Sequence, residues 1–426
     1  MNRRIAPARR FGGSIVVPGD KSISHRALIL AGLAEGTTTI RGLSTSEDVK
    51  ATRDCLRRLG IKIRGDDERT LVVGEGLYGF ARSPQPLFAG NSATTLRLLA
   101  GVLAAQGFSS VVTGDKSLLE RPMERLAAPL RMMGARVELA AGGRAPVKIR
   151  GGPLRAIDYT LPVPSAQIKS AVLLAGLFAR GTTTVRERLP SRNHTENMLS
   201  RFGARTARGH GSVSVRGGSP LRAADVSVPG DFSLAAPWIV AACLTPGSFL
   251  RVRRVMLNRT RVGLLRVLKK MGAAIRASAS SAGAEPSGTI EARCSPLRGV
   301  DLDFREIPQL IDEIPLLALA ATQARGVTRI RGAGELRYKE SDRIAATEGL
   351  LRAMGAKLQV RGNDFIIEGP QVLRGAVIDP RRDHRIIMTA AIAGLLAQGT
   401  TRIRDSHLVA VSYPEFFRHL AQLTGP

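Results

Sequence analysis

One phrase returns along the whole chain, and it limits the possible folds more than any single motif does. An apolar run of small residues is followed by glycine and, in the clearest copies, by a β-branched stretch. It occurs at residues 31–40, in shortened form at 103–107, again at 175–185, more loosely at 241–247, and then at 320–326 and 393–401. A glycine behind an apolar helical run fits the left-handed position that closes helices. Thr, Val and Ile after it favour a strand. A second phrase keeps step with the first: Leu59-Gly60, Met133-Gly134, Phe202-Gly203, Met271-Gly272 and Met354-Gly355, with a degraded last copy at Leu423-Thr424-Gly425. Each follows an amphipathic helical pattern, and most precede an alternating strand such as residues 135–139. The period, roughly 70 residues, is too long for the common solenoids. Each copy reads as strand, helix, strand, helix and further strands, and six copies make a duplicated α/β architecture.

A third echo divides the copies into two groups of three. Val17-Pro18-Gly19-Asp20 matches Val228-Pro229-Gly230-Asp231, about half a chain away. The expected organisation is two similar lobes. Residues 20–230 form an N-terminal lobe, residues 1–19 with 231–426 form a C-terminal lobe, hinges lie near the echoes, and the functional site sits in the cleft between the lobes. A chain of 426 residues is long enough for two cores. Its 44% apolar content excludes a disordered chain. Aromatics make up only 4%, so the cores must be built from Leu, Val, Ile and Ala.

The formal net charge is +28, a field that attracts anions. The arginines are spread along the chain, which reads as a general surface bias. Basic residues interleaved with aromatics, the pattern of single-strand binders, do not occur. A nucleic-acid partner is therefore not expected. The three cysteines, Cys55, Cys243 and Cys294, have no disulfide or zinc spacing and read as small buried apolar residues. The basic start, residues 1–10, leads into no apolar signal core. The most apolar stretch, 171–179, is too short to cross a bilayer. A cytoplasmic protein with no membrane partner is expected.

Several segments place Pro, Gly, Asp or Ser just before a helical pattern: 18–22, 113–116, 164–167 and 379–383. Helix N-termini attract anions, and neighbouring Lys and Arg add charge-assisted hydrogen bonds. Lys21, Ser22 and Arg26 can share one region of surface, since Ser22 and Arg26 are four apart. The glycine spacing is not that of a P-loop. Gly90-Asn91-Ser92 is turn chemistry opening a helix that buries Leu96, Leu98 and Leu99, and by itself it reads equally as an N-cap. Residues 339–343 and 383–385 alternate acid and base densely; taken singly, such clusters commonly form surface ion pairs. Asp312 and Glu313 lie in an otherwise apolar run, where a carboxylate is expected to be partly buried. Burial without a cation would raise its pKa and suit it to proton transfer.

Taken together and in order, residues 18–26, Gly90-Asn91-Ser92, Glu120-Arg121-Pro122-Met123, residues 339–343 and Asp383-His384-Arg385 resemble the enolpyruvyl transferases, in the branch that acts on shikimate 3-phosphate. The resemblance runs from about residue 18 to residue 414. It implies an α/β fold of two similar lobes, each of three βαβαββ units in an inverse α/β barrel-like arrangement. It also implies an enzyme of aromatic amino-acid biosynthesis that takes phosphoenolpyruvate and shikimate 3-phosphate, acts as a monomer and uses no metal or organic cofactor. Lys21, Ser22, Arg26, Ser165, Ala166, Gln167, Ser191, Arg192, Asp312 and Lys339 match positions that hold shikimate 3-phosphate. Lys21, Ala93, Arg121, Gln167, Arg343 and Arg385 match positions around phosphoenolpyruvate. Asp312 is the implied base at the attacking hydroxyl, and Glu340 and Lys21 are the candidates for the acid.

The sequence departs from that pattern at three places. Ala93 stands where many relatives have Gly, so a methyl intrudes beside the bound anion and the longer inhibitor glyphosate should fit poorly. Residues 411–414 lack a Lys found in one branch. Ala166 replaces a Ser, leaving only its backbone to contribute. The sister branch that uses UDP-N-acetylglucosamine carries a loop cysteine, and residues 115–122 contain none. A basic nucleic-acid-binding protein with a degenerate enzyme fold has only the net charge in its favour.

Overall fold

The computed structural model describes residues 2–281 and 285–425. Residues 1, 282–284 and 426, which include both outer ends of the expected C-terminal lobe, lie outside the described residues. The chain divides into two compact units, Gly19–Val228 and Met1–Pro18 with Pro229–Pro426.

Among the described residues, six sheets account for the six copies. The second copy shows the full pattern. Strand Leu87–Phe88 leads to helix Ala93–Leu103, strand Ser109–Thr113, helix Glu124–Met132 and a hairpin of Arg136–Ala140 and Arg144–Arg150. The first two strands are parallel, with Leu87 opposite Val112. The hairpin adds two antiparallel strands, with Ser109 and Arg136 both opposite Arg150. The same order recurs in the sheets containing Thr182–Arg186 and Gly326–Ile330.

The other three copies are completed by distant chain. Leu221–Arg222 and Val226–Ser227 run parallel to Ala34–Arg41 and supply the first copy's missing strand. Gly12–Val16 runs parallel to Phe249–Met256 and does the same for the fourth. The sixth departs from the βαβαββ expectation: among the described residues it has no hairpin, and Arg3–Ile5 pairs antiparallel to Thr401–Ile403 instead. Its degraded glycine phrase is the end of helix Phe416–Thr424, which packs on Gly12–Val16.

Within each unit the most apolar helices are buried all round, as a helix without a polar face must be. In Lys21–Leu33 every residue from Ile23 onward is buried. Ala93–Leu103 and Ala166–Gly176 approach so closely that a Cβ on Gly101 would lie 2.3 Å from the Ala171 carbonyl oxygen. In the other unit Phe232–Leu244, Ile314–Gln323 and His384–Leu396 pack on one another. Each buried Leu, Ile or Val side chain contributes roughly 1.5–3 kcal/mol. The amphipathic helices lie outside; Glu47–Arg58 buries only Asp48, Val49, Thr52, Cys55 and Leu56.

The two glycine phrases do different jobs, which corrects the reading of the first. Gly60, at φ +89°, closes helix Glu47–Arg58: its N–H donates to Arg57 O and that of Ile61 to Leu56 O, both at 3.0 Å. This is the Schellman pair of bonds, and it recurs behind Met133, Phe202, Met271 and Met354. Gly36 closes no helix. Lys21–Leu33 passes directly into extended chain at Ala34, and Gly36, at φ +103°, lies inside strand Ala34–Arg41. Among the described residues no helix is long and apolar enough to cross a membrane.

Candidate active site

In the Gly19–Val228 unit the expected residues gather at the starts of the inner helices. Asp20 caps Lys21–Leu33 by accepting from Ile23 N at 2.8 Å. Lys21 Nζ lies 2.6 Å from Asp48 Oδ2. Ser22 offers its carbonyl to Arg26 Nη1 at 2.8 Å. Arg26 is not the exposed neighbour that four-residue spacing suggested. It is 3% exposed, and it donates from Nε to Thr195 Oγ1 and from Nη2 to Ser170 Oγ, both at 2.7 Å.

Gly90-Asn91-Ser92 is more than an N-cap. Ser92 caps Ala93–Leu103 through Thr95 N at 3.1 Å. Asn91 Nδ2 donates to Asp115 at 2.9 Å, Asp115 in turn caps Lys116–Leu119, and Asn91 Oδ1 accepts from Arg121 Nη2 at 2.8 Å. The Asn91 amide thus holds Arg121 in place, while the buried Arg121 Nε has no hydrogen-bond partner. Ala93 is buried as the first residue of its helix. Next to it, Thr94 Oγ1 accepts from Gln167 Nε2 at 2.8 Å, and Gln167 Oε1 accepts from Arg97 Nη1 at 2.5 Å. Ser165 caps Ala166–Gly176, and the Ala166 carbonyl accepts from Ser170 Oγ.

Ser191 and Arg192 lie in the loop between strand Thr182–Arg186 and helix His194–Arg201. Ser191 Oγ donates to Glu187 Oε2 at 2.6 Å. Behind them is a cluster the sequence reading missed. Lys169, 1% exposed, places Nζ 2.8 Å from both Glu187 Oε1 and Glu196 Oε1. A lone Lys in an otherwise apolar helix was the available signal.

In the other unit, two 3₁₀ turns, Ile307–Gln309 and Ile311–Glu313, lead into helix Ile314–Gln323, with Pro315 in its first turn. They place two adjacent carboxylates apart. Asp312 is 9% exposed, with Arg343 Nη1 at 3.2 Å, Lys339 Nζ at 3.4 Å and Arg385 Nη2 at 3.9 Å. The condition of burial without a cation therefore does not hold. Glu313 is buried against Arg261 at 2.8 and 3.1 Å and accepts from Ser233 Oγ at 2.5 Å, with Arg385 Nη1 at 3.7 Å. Arg261 and Ser233 had no distinguishing pattern in the sequence.

Of the acid–base runs, Asp342 does pair near the surface, with Arg337 Nη1 at 2.7 Å, but Arg343 and Asp383 are buried. Arg343, 1% exposed, meets Asp383 Oδ2 at 2.8 Å, Glu340 Oε2 at 2.5 Å and Asp312 Oδ1 at 3.2 Å. Asp383 caps His384–Leu396 through Arg385 N at 2.9 Å and accepts from Ser341 Oγ at 3.0 Å. Burial alone would push the Asp383 carboxyl up, but the Arg343 guanidinium against it prevails and holds it below the ordinary value. For Arg343 burial acts downward, and Asp383, Glu340 and Asp312 outweigh it. Burial pushes His384 down to about 4, so it is neutral at neutral pH.

Each unit thus presents cations fixed in advance by carboxylates, amides and hydroxyls. Donors so fixed bind anionic groups without reorganising. Asp312, with three cations around it, is set up to accept a hydrogen bond from a hydroxyl.

The fold is that of the enolpyruvyl transferases. The enolpyruvyl transferase NikO from Streptomyces tendae superposes with a TM-score of 0.82 at 22% identity, over 99% of this chain and 96% of that one. An EPSP synthase structure from Acinetobacter baumannii gives a TM-score of 0.89 at 41% identity, over 100% and 98% of the two chains. The family model for EPSP synthase (3-phosphoshikimate 1-carboxyvinyltransferase) matches residues 5–420. Proteins called 3-phosphoshikimate 1-carboxyvinyltransferase are similar over nearly the full length. That of Pelotomaculum thermopropionicum is 47% identical, covering 99% of each chain, and that of Shouchella clausii is 46% identical, covering 97% of this chain and 96% of its own. The chain belongs to the EPSP synthase family.

Proposed function

We propose that this chain transfers the enolpyruvyl group of phosphoenolpyruvate to the 5-hydroxyl of shikimate 3-phosphate, releasing phosphate. The observation that carries the residue assignment is Asp312, a nearly buried carboxylate with three cations within 4 Å. A proton added at C3 of phosphoenolpyruvate makes C2 electrophilic. The 5-hydroxyl oxygen bonds to C2 as its proton passes to Asp312, giving a tetrahedral intermediate. Loss of phosphate from C2 and of a proton from C3 restores the double bond. Glu340 and Lys21 are the candidate acids at C3. General acid–base help of this kind contributes about 10²–10⁴-fold.

Arg121, Arg343 and Arg385 receive the charges of phosphoenolpyruvate, with Ala93, Gln167 and Lys21 around it. The unpartnered Arg121 Nε supports this reading, because a buried donor calls for an acceptor. Lys21, Ser22, Arg26, Ser165, the Ala166 backbone, Gln167, Ser191, Arg192 and Lys339 hold the phosphorylated ring. For Arg26 the buried geometry supports a role shared with Ser170 and Thr195. The scheme calls on no metal or organic cofactor. The chain acts as a cytoplasmic monomer without nucleic-acid or membrane partners.

The test is phosphate release from phosphoenolpyruvate with shikimate 3-phosphate or UDP-N-acetylglucosamine as acceptor. Turnover is expected with the first alone. Asp312→Ala and Lys21→Met should each collapse it, and unaltered rates would remove those residues from the mechanism.

A further inference from the structure

Glu187 stands at the end of strand Thr182–Arg186 with both carboxylate oxygens engaged. Oε1 accepts from Lys169 Nζ at 2.8 Å and Oε2 accepts from Ser191 Oγ at 2.6 Å. Its backbone is anchored as well, Glu187 N donating to Gly211 O at 2.9 Å. A serine hydroxyl has one proton. While that proton points at Glu187, Ser191 turns only lone pairs toward any other group, and an anionic phosphate oxygen is repelled by them. To bind phosphate as a donor, Ser191 must first give up Glu187.

We infer that Glu187 is a positioning residue that competes with the substrate's 3-phosphate for the single Ser191 proton and so sets the affinity for the phosphorylated ring. The inference rests on the assignment of Ser191 to that phosphate. Lys169 is what makes the exchange possible. Its ammonium is 2.8 Å from Glu187 and from Glu196, so Glu187 keeps a charged partner after the hydroxyl has turned away. Without that partner, releasing Ser191 would leave a carboxylate with little solvent to receive it. The same lysine lies on helix Ala166–Gly176, which begins with the Ser165–Gln167 segment assigned to the same ligand.

Glu187→Gln separates competition from bulk charge. Gln is isosteric and keeps Oε1 on Lys169, while its amide NH₂ donates to Ser191 Oγ and frees the hydroxyl proton. The experiment is steady-state kinetics on Glu187→Gln, Ser191→Ala and the double variant, with melting temperatures to verify folding. Ser191→Ala is expected to raise KM for shikimate 3-phosphate roughly tenfold. Glu187→Gln is expected to lower it roughly three- to tenfold, with kcat and the KM for phosphoenolpyruvate changed by less than about twofold. In the Ser191→Ala background Glu187→Gln should have no effect on any of these. An unchanged or raised KM in Glu187→Gln, with Ser191→Ala still impaired, overturns the competition alone. An equal fall in both backgrounds overturns it too, because the charge and not the proton would then matter. An unchanged KM in Ser191→Ala overturns the phosphate assignment and the inference with it.

Discussion

Lys169 and Glu196 meet at 2.8 Å with almost nothing of either side chain exposed, and the residue after Lys169 and the residue before Glu196 repeat the link, Ser170 Oγ to Thr195 Oγ1 at 2.6 Å. Arg26 joins the second link from helix Lys21–Leu33, so three helices of one lobe are tied by polar groups inside an otherwise apolar core. A lysine there is stable only because two carboxylates receive it.

Removing that lysine should be costly. Lys169→Met leaves Glu187 and Glu196 without their shared ammonium, and breaking a buried pair from one side costs about 3–5 kcal/mol. The denaturant midpoint for the N-terminal lobe should fall accordingly. Adding Glu196→Gln should recover part of the loss, because one uncompensated charge is then gone. A Lys169→Met protein as stable as wild type would show that the cluster is not what holds these helices.

The sequence disclosed what is local and withheld what is not. Glycine phrases, capping residues such as Asp20 and Ser92, and the apolar inner helices follow from spacing alone, and with them the six-copy α/β plan. Strands of two residues, such as Leu221–Arg222, carry no period, so their return to Ala34–Arg41 was invisible. Charge alternation in residues 339–343 did not reveal that Arg343 turns inward while Lys339 stays partly exposed. Arg261 and Glu313 are 52 residues apart and meet only through tertiary packing. The glycine phrases look alike as text, and backbone geometry alone separates those that close helices from Gly36.

The cysteines should be inert in the native protein. Burial pushes the thiols of Cys55 and Cys243 up to about 12, and Cys294 is shifted the same way. Thiolate is the reactive form. A thiol-reactive chromogen should therefore modify at most the partly exposed Cys294 and leave phosphate release intact, while all three should react in denaturant. Rapid loss of activity on alkylation would point to a catalytic thiol and against the shikimate branch.

Stability should fall with acid through three buried histidines. Burial lowers His25 from 6.5 to about 3, and His384 and His419 from 6.5 to about 4. Below the unfolded value near 6.5 the unfolded chain binds protons that the folded chain refuses, so folding loses ground as pH drops. Their contribution is complete above about pH 6.5 and declines from there through pH 4 for His384 and His419 and pH 3 for His25. The slope is about 1.4 kcal/mol per pH unit for each histidine inside its window. Denaturant midpoints should be level from pH 7.5 to 6.5 and fall between 6.0 and 4.5. His25→Gln, which keeps a partner for Thr52 Oγ1, should flatten the fall by about a third. A level profile down to pH 4.5 would contradict the buried, neutral assignment.

Ala93 offers a test of the anion pocket that does not disturb its charges. Its methyl is buried at the first position of helix Ala93–Leu103, flanked by Ser92 and by Thr94, which is bonded to Gln167. Phosphoenolpyruvate is the shorter ligand and should tolerate the methyl. Glyphosate extends further and should be crowded by it, at a cost of about 1–3 kcal/mol for one overpacked group. Ala93→Gly should therefore tighten glyphosate inhibition by roughly five- to 150-fold, with the KM for phosphoenolpyruvate changed by less than about threefold. Glycine at a helix's first turn adds only a small backbone cost, so melting should move little. An inhibition constant indifferent to Ala93→Gly would place the inhibitor, and with it the phosphoenolpyruvate pocket, away from the start of this helix.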